Sequence, residues 1–348
     1  MTSQLELSNR PVVLVCGKTG AGKSSLIQAV TDKETVPDSA IGESARPKTR
    51  GFTVYKTNAA IFVDAEGMEP GTTIEDYKSF LRTEIVKRLA SGKVANVITQ
   101  VWYCIDGTGA RIQAADKDII NMFSSKVLVI VTKAECMRKK QLDAMDMATR
   151  QVVDETRIVM VSSETKAGLN SLIQKTHKRI FGSSPSGELK EFKREWELYY
   201  SSRQEAWLTK CDEEAEGYIN WGAARSFGIA VATFLPLSDM IPLSINEAYM
   251  IMRIGSVYGE SVGKNTISAL AGIATGSIAG KFVATLMPPG LKSIVAASVT
   301  YGLGKAAKAY FRSGKKLSEK ELKKEFQKGK RSGESKQWGA KASDDDEE

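Results

Sequence analysis

A segment near the start of the chain has the residue types of a phosphate-binding loop. Residues 17–24 are Gly-Lys-Thr-Gly-Ala-Gly-Lys-Ser, between the apolar run 12–16 and a pattern typical of a helix. Glycines at positions 17 and 22 allow the backbone to wrap until successive amides point at one anion. The helix that begins near Lys23 adds the positive end of its dipole. This spacing predicts nucleotide binding.

The side chains of the loop suit the same chemistry. The ammonium of Lys23 would reach the β- and γ-phosphates, and the hydroxyl of Ser24 would ligate Mg²⁺. The small residues Gly20 and Ala21 keep the interior of the loop open. We expect the nucleotide to contact the loop and the first helical turn. These residues are Gly17, Lys18, Thr19, Gly20, Ala21, Gly22, Lys23, Ser24 and Ser25.

The loop alone leaves ATP and GTP open, and motifs further along the chain favour GTP. Asp64-Ala-Glu-Gly67 ends a predicted strand, Thr132-Lys-Ala-Glu135 follows another, and Val161-Ser-Ser-Glu164 follows a third. With Pro47-Lys-Thr-Arg50 and the phosphate loop, these motifs resemble, in order, those of Era-like P-loop GTPases of the translation-factor-related class. The resemblance covers residues 12–181.

The resemblance implies how the phosphate end of the nucleotide is held. Thr49 would close over the γ-phosphate and Mg²⁺, with Thr53, inside a predicted strand, as the alternative. Asp64 would hold Mg²⁺ through water, and the amide of Gly67 would sense the γ-phosphate. The implied metal ligands are Ser24, Thr49 and Asp64, and the implied catalytic residues are Lys23, Thr49 and Gly67.

The resemblance also implies how the base is recognised. Thr132 and Lys133 belong to the base-binding motif, and Ser162 and Ser163 would present backbone amides to guanine O6. At the position of Glu135 the family has an aspartate, which accepts hydrogen bonds from guanine N1–H and N2–H₂. Glu135 has the same acceptors on a side chain one methylene longer, so guanine specificity is either weaker or maintained by a shifted loop.

The residue after Asp64-Ala-Glu-Gly67 is Met68, which cannot hydrogen-bond a water molecule. Ras-type GTPases have a glutamine there to orient the attacking water, whereas the Era-like family also has an apolar residue. We therefore expect slow intrinsic hydrolysis of GTP to GDP and phosphate, with the water-positioning group unassigned. We interpret Glu66 and Glu69 as surface carboxylates and Arg111 as a salt-bridge residue, with a phosphate contact as its alternative.

Alternating strand and helix patterns must position these motifs. The unbroken apolar runs 12–16 and 127–131 are typical of strands covered on both faces. Residues 11–182 therefore predict an α/β fold, a P-loop NTPase G domain with a mostly parallel sheet between helices. The predicted strands are 12–16, 52–56, 59–64, 97–105, 127–132 and 158–161, with 52–64 as an antiparallel edge hairpin. The predicted helices are 23–30, 74–90, 113–123, 134–151 and 167–181.

Composition excludes several classes of protein. The chain has 348 residues, of which 42% are hydrophobic and 26% charged, with a net charge of +8. These values exclude a wholly disordered chain and a polytopic membrane protein, and the positive charge favours anionic partners. Four scattered cysteines and one histidine exclude a zinc site or a histidine-based triad. The first residues lack a secretory pattern, so we expect a cytoplasmic protein.

The composition changes after residue 182, which predicts a mainly α-helical second domain. The segment that follows has an aromatic helix face, which we interpret as a docking surface. This face consists of Phe192, Trp196, Tyr199 and Tyr200. The predicted segments are an N-terminal extension (1–10), the G domain (11–182), a charged and aromatic linker (183–220), an apolar helical domain (221–311) and a largely disordered tail (312–348) except for a short helix at 319–327.

The apolar helical domain resembles, over residues 234–259, the uncharacterised helical domain that follows Era-like GTP-binding domains in bacteria. Its basic residues flank an apolar hairpin, as peripheral attachment to an acidic membrane would require. These are Lys305, Lys308, Arg312, Lys315 and Lys316. A packed soluble bundle that binds a protein partner is the alternative, and either partner would bind through residues 221–316.

Together these patterns predict a Mg²⁺-dependent switch that binds and hydrolyses GTP, with GTP ordering residues 31–50 and 64–76. Two alternatives stay open. One is a ribosome- or RNA-associated Era-like GTPase, although no KH-type loop or base-stacking aromatic set supports nucleic acid directly. The other is a self-assembling dynamin-like or immunity-related membrane GTPase that forms a GTP-dependent homodimer.

Overall fold

The structure is a computed structural model that describes residues 10–41, 51–90, 97–109, 111–182, 188–232, 240–275 and 289–338. The chain divides into two compact units, Met1–Lys210 and Cys211–Glu348. The sequence proposes a boundary at 182–187, of which residues 183–187 lie outside the described residues.

The first unit contains six strands and the helices that cover them. The strands are β1 (Val12–Gly17), β2 (Phe52–Lys56), β3 (Ile61–Ala65), β4 (Ile98–Asp106), β5 (Val127–Thr132) and β6 (Ile158–Met160). The helices are α1 (Lys23–Val30), α2 (Ile74–Ala90), α3 (Ala114–Phe123), α4 (Lys139–Arg150), α5 (Leu169–Phe181) and the first part of α6 (Glu188–Ala232).

The six strands form one mixed sheet in the order β2-β3-β1-β4-β5-β6. Every neighbouring pair is parallel except β2 and β3, which form the antiparallel edge. The predicted α/β fold with its edge hairpin is therefore confirmed. Because β1, β3, β4, β5 and β6 are parallel, their carboxyl ends meet at one edge of the sheet, where ligands bind in open α/β folds.

The core of the first unit lies on both faces of the sheet. Every residue of β1 and of β5 is buried, as their unbroken apolar runs predict. The indole of Trp102 packs on Phe62 with ring centroids 5.5 Å apart. Its Nε1 donates to Thr176 Oγ1 at 3.0 Å, so the largest core side chain has its polar atom satisfied.

Helix α4 begins later than the sequence predicts. Residues Ala134–Cys136 form a short 3-10 turn, and α4 starts at Lys139 rather than 134. The cause lies in Met137 and Arg138, whose extended backbone, with ψ of 128° and 163°, separates the 3-10 turn from α4. The delayed start leaves Glu135 in a tight turn beside the sheet edge.

The aromatic face of α6 is buried in the first unit. Trp196 and Tyr200 are 1% and 0% exposed, and they belong to the same apolar cluster as the sheet. Arg203, one turn further, donates to the carbonyl of Thr31 at 3.3 Å and to Asp32 Oδ2 at 3.2 Å. Aromatic packing and a charged contact therefore hold α6 against the end of α1.

The second unit is a helical bundle. It contains the later part of α6, α7 (Met240–Val257), α8 (Lys264–Thr275), α9 (Pro289–Arg312) and α10 (Glu319–Glu334). No helix in the described parts of the chain is long and apolar enough to cross a membrane. The sequence has glycine at 272, 276 and 280, a spacing that predicts close helix contact, but residues 276 and 280 lie outside the described residues.

Helix α10 corrects the expectation that most of the tail is disordered. It extends to Glu334, and Leu322 and Phe326 are buried. Gly329 and Gly333 face α9 so closely that a Cβ on either would come within about 3 Å of it, at 2.8 Å from Lys305 Cβ and 3.0 Å from Ser298 Cα. Few apolar residues suffice here because glycine lets the two helices approach.

Basic residues in the last turns of α9 and just after it are paired with carboxylates, which the sequence did not indicate. Lys305 and Lys308 both donate to Glu216, at 2.5 Å and 2.8 Å, and Arg312 pairs with Asp212 at 2.8 Å. Lys315 pairs with Glu260 at 2.9 Å. These four cations, expected to attach the domain to acidic lipid, instead form ion pairs inside the second unit.

We expect Trp196→Ala to destabilise the first unit by about 3–5 kcal/mol, because it leaves a cavity among buried aromatic side chains. On the same helix Leu198 is 66% exposed, so Leu198→Ala is the matched control and should cost less than about 0.5 kcal/mol. Urea unfolding followed by far-ultraviolet circular dichroism measures both. Equal losses from the two variants would contradict the assignment of Trp196 as the anchor of α6.

Candidate functional site

The phosphate loop follows β1 and ends at the first residue of α1. Three glycines in it have positive φ, 141° at Gly17, 81° at Gly20 and 73° at Gly22. A Cβ on Gly17 would lie 2.3 Å from the carbonyl oxygen of Cys104 on β4, so only glycine fits there. The positive φ of Gly22 turns the chain directly into α1, whose N-terminal amides face the loop.

Lys23 lies inside this loop and is 7% exposed. Its Nζ donates to the carbonyl of Lys18 at 3.0 Å, which places the ammonium across the loop. Burial lowers the pKa of Lys23, and the carboxylate of Asp64 opposes that shift. A buried cation with few compensating charges is poised to gain from an incoming anion.

Ser24 and Asp64 come together although they are distant in sequence. The Ser24 hydroxyl donates to Asp64 Oδ2 at 2.6 Å, and Asp64 is fully buried at the end of β3. The parallel register pairs Val15 with Asp64, which brings the end of β3 beside the loop. A hydroxyl and a carboxylate are the hard oxygen donors that Mg²⁺ prefers, so these two residues fit the ion. Thr49 lies outside the described residues.

The residues after Asp64 run alongside the loop. The amide of Thr19 donates to the Met68 carbonyl at 3.2 Å, and the Met68 amide donates to the Gly17 carbonyl at 3.2 Å. A Cβ on Gly67 would lie 2.6 Å from Thr19 Cα and N. Gly67 is therefore required by contact between two backbones. Within the described structure, Thr19 Oγ1 is buried here and has no hydrogen-bond partner.

Tyr77 on α2 is a residue of this site that the sequence analysis missed. Its hydroxyl accepts from the Gly17 amide at 3.3 Å and lies 3.2 Å from the Gly17 carbonyl and 3.1 Å from the Glu66 carbonyl. Burial raises the pKa of Tyr77, so the phenol stays neutral and can donate. The sequence contained one signal for it: Tyr77 and Leu81 are four residues apart, which places them on one face of the helix, and they are the two buried residues of α2.

The motifs after β5 and β6, which the resemblance assigns to the base, meet the loop from the other side. Thr132 Oγ1 donates to the Ala21 carbonyl at 3.0 Å, and the Ala134 amide donates to the Val161 carbonyl at 3.1 Å. Lys133 pairs with Asp106 at 2.6 Å. Burial acts to raise the pKa of Asp106, but hydrogen bonds from Lys133 and Thr108 lower it overall. The ends of β4, β5 and β6 thus converge beside the phosphate loop.

Glu135 has an unsatisfied acceptor at this place. Its Oε2 is buried and has no hydrogen-bond partner among the described residues. A buried carboxylate oxygen without a donor is costly, and a ligand with N–H groups would satisfy it. Guanine has such donors on N1 and N2, which supports the expected role of Glu135.

The other residues that the sequence places at the site differ in their contacts and in their exposure. The amide of Ser162 already donates to the Ala167 carbonyl at 2.9 Å, and the Ser163 carbonyl accepts from Lys166 Nζ at 2.6 Å. Lys18 extends toward α3, where it pairs with Asp116 at 3.0 Å. Ala21 is buried, Gly20 and Arg111 are exposed, and Ser25 is half-buried on α1.

Comparisons with known proteins agree with this geometry. Residues 12–133 match the family model described as 50S ribosome-binding GTPase. Two curated proteins named GTPase Der are similar: that of Lawsonia intracellularis is 27% identical over 165 residues, covering 46% of this chain and 35% of that protein. That of Solidesulfovibrio magneticus is 32% identical over 134 residues, covering 38% of this chain and 29% of that protein.

The matches concern only part of each protein. The chain spans about a third of the length of these two relatives. The solved translation elongation factor SelB of Methanococcus maripaludis is 14% identical, with 51% of this chain and 35% of that chain covered, at a TM-score of 0.34 that adds nothing to the assignment. The sheet order, the loop geometry and the matched residues support a P-loop GTPase domain of the translation-related class in the first unit.

Proposed function

We propose that the first unit binds GTP with Mg²⁺ and hydrolyses it to GDP and phosphate, as a molecular switch. One observation carries this proposal: the Ser24 hydroxyl donates a hydrogen bond of 2.6 Å to the buried carboxylate of Asp64. This pair lies beside the phosphate loop. Two hard oxygen donors beside a phosphate loop fit a magnesium nucleotide better than any other ligand class.

Ser24 and Asp64 would hold the ion, joined by Thr49 as the sequence implies. When bound, Mg²⁺ neutralises charge on the β- and γ-phosphates. Lys23 would exchange its present acceptor, the Lys18 carbonyl, for phosphate oxygens. The exchange is favourable because a buried ammonium gains more from a phosphate anion than from a carbonyl.

The Gly67 amide would contact the γ-phosphate, and Tyr77 would position it. The Tyr77 hydroxyl joins the base of the loop to the Glu66 carbonyl, one residue before Gly67. Met68 is held by its backbone and offers no polar side chain for water. These contacts support slow hydrolysis in the isolated protein, with acceleration by a partner or by GTP-dependent pairing of two copies.

The second unit would dock the switch on a membrane surface or a protein partner. Its helices leave apolar side chains exposed at one end, among them Ile241 at 74% and Leu291 at 56%. A cytoplasmic protein with such a surface would attach peripherally. A self-assembling GTPase of the dynamin type is the competing form of this idea, and it requires turnover per molecule to rise with protein concentration.

A ribosome-associated GTPase is a second candidate function. It is favoured by one observation, the description of the matched family model as 50S ribosome-binding GTPase. If this candidate holds, the full chain with a non-hydrolysable GTP analogue should sediment with purified 50S subunits, and with GDP it should not. Sedimentation that is equal with both nucleotides, or absent with both, would argue against a GTP-controlled ribosomal role.

We expect Lys23→Ala to weaken GTP binding by about 10- to 100-fold, because a charge-assisted hydrogen bond to phosphate is lost. Isothermal titration calorimetry with GTP and ATP in Mg²⁺ measures both affinities. Lys126→Ala is the control, since Lys126 is exposed at the opposite edge of the sheet. Absence of heat for both nucleotides with the unmodified chain would overturn the proposed function.

Glu135→Gln should weaken GTP binding by about 10- to 100-fold and leave ATP binding unchanged, because the amide cannot accept two hydrogen bonds from guanine as a carboxylate does. Glu205→Gln is the matched control, because Glu205 is exposed on α6 and belongs to none of the motifs. Competition between labelled GTP and unlabelled ATP gives the specificity ratio for each variant. Equal displacement by ATP and GTP in the unmodified chain would defeat the guanine assignment.

A further inference from the structure

The second unit exposes six large apolar side chains, which we call the apolar end. They are Val231, Met240, Ile241, Ile245, Leu291 and Ile294, and each is at least 37% exposed. They belong to the last turn of α6, the first turns of α7 and the first turns of α9. Single exposed apolar residues are ordinary, but six on three neighbouring helix ends form a patch that needs an occupant.

Contacts within the unit show that these helix ends lie together. Asn246 of α7 donates to the Gly222 carbonyl and to Ser226 Oγ of α6, both at 2.8 Å. Thr300 of α9 also donates to Ser226 Oγ at 2.8 Å. Further along, Lys308 of α9 meets Glu216 of α6. Helices α7 and α9 therefore run antiparallel to α6, and the end of α6 faces the starts of both.

A belt of aromatic and arginine side chains lies next along the same helices. Arg225 stacks on Trp221 with the guanidinium carbon 5.1 Å from the ring centroid, and Trp221 packs on Tyr249 at 5.6 Å. Arg253 lies over Tyr218 at 5.4 Å and over Tyr249 at 5.6 Å. At a rise of about 1.5 Å per residue, Trp221 is about 15 Å below Val231.

The helix segments that form this half of the unit contain few charged residues, and most of them are basic. Residues 217–232, 240–257 and 289–304 contain one acidic residue, Glu247, and three basic ones, Arg225, Arg253 and Lys292. Glu247 is 5% exposed and lies 3.4 Å from the Thr300 hydroxyl, so its carboxylate is withdrawn from the surface. Lys292 is buried to a similar degree, at 6% exposed, so Arg225 and Arg253 are the cations that these segments present to an anionic surface. An exposed carboxylate lies nearby: Glu334 of α10 follows Gly333, which packs on Ser298 of α9, and it pairs with Lys330 at 3.8 Å.

We propose that the apolar end inserts into one leaflet of an anionic lipid bilayer, with the belt at the level of the headgroups. The inference deepens the docking role proposed above and rests on it. Interfacial helices bury an apolar face about 5–10 Å deep, while Trp, Tyr and Arg lie at the headgroups. An apolar layer, an aromatic and cationic layer and a layer of ion pairs follow one another along α6, an order that matches the bilayer interface.

The order of the layers also favours a lipid bilayer over a protein as the occupant of the apolar end. A second copy or a protein partner would need matched shape at the apolar end but no graded sequence of layers behind it. The ion pairs of Asp212 and Glu216 lie about 23–28 Å below Val231 at the same helical rise, beyond the reach of a headgroup layer. The surface that meets lipid is therefore the apolar end, and the cations of α9 are not part of it.

Flotation of the full chain with vesicles of phosphatidylcholine and phosphatidylserine tests the proposal. We expect the unmodified chain to float with these vesicles and to bind pure phosphatidylcholine less. Ile241→Asp combined with Leu291→Asp should reduce flotation at least about tenfold, because two charges would enter the apolar layer. Leu198→Asp, an equally exposed leucine of the first unit, is the matched control and should float normally.

Arg225→Ala should weaken binding to anionic vesicles about fivefold and leave binding to neutral vesicles unchanged. Lys23→Ala should float like the unmodified chain, so loss of nucleotide binding and loss of lipid binding are distinguished. Circular dichroism confirms that each variant is folded. Failure of the unmodified chain to float, or normal flotation of the double variant, would overturn the proposal. A concentration-dependent dimer that the double variant abolishes, without lipid binding, would assign the surface to a second copy instead.

Discussion

Backbone contacts with no room for a side chain hold the candidate site together. Gly17 passes against Cys104 of β4, and Gly67 passes against Thr19 of the phosphate loop. These close approaches allow backbone hydrogen bonds from the Thr19 amide to the Met68 carbonyl and from the Met68 amide to the Gly17 carbonyl, which tie the chain after β3 to the phosphate loop. The Ser24–Asp64 contact follows from that constraint, since the parallel register alone would only bring the two strands side by side.

The sequence predicted local features of the site better than its long-range contacts. The strands β2 and β5 and the helices α1 and α2 have the expected bounds, and β1 extends one residue further than expected, because the hydrophobic period is encoded within each segment. Tyr77 was missed because its role depends on contacts with backbone atoms sixty residues away along the chain. The late start of α4 was missed as well, because Met137 and Arg138 are extended in the structure although neither residue type marks a helix break in the sequence.

In the second unit, the charges misled the sequence analysis and the apolar residues did not. Basic residues near the end of α9 look available for lipid when only the chain is read, but the fold pairs them with Glu216 and Asp212 from distant positions. The length of α10 was underestimated for a related reason. Its glycines are poor helix formers in isolation, yet they allow close packing on α9, which outweighs that cost.

One of the four cysteines is exposed to reagents in solvent, and the other three are buried. Cys16, Cys104 and Cys211 are buried, and burial raises the pKa of Cys104 to about 12, which keeps it a thiol at neutral pH. Cys136 is the exposed one, adjacent to Glu135 in the turn after β5. An environment-sensitive fluorophore with a maleimide group would therefore attach next to Glu135 in the natural sequence, where it would report optically on any ligand that Glu135 binds, without engineering.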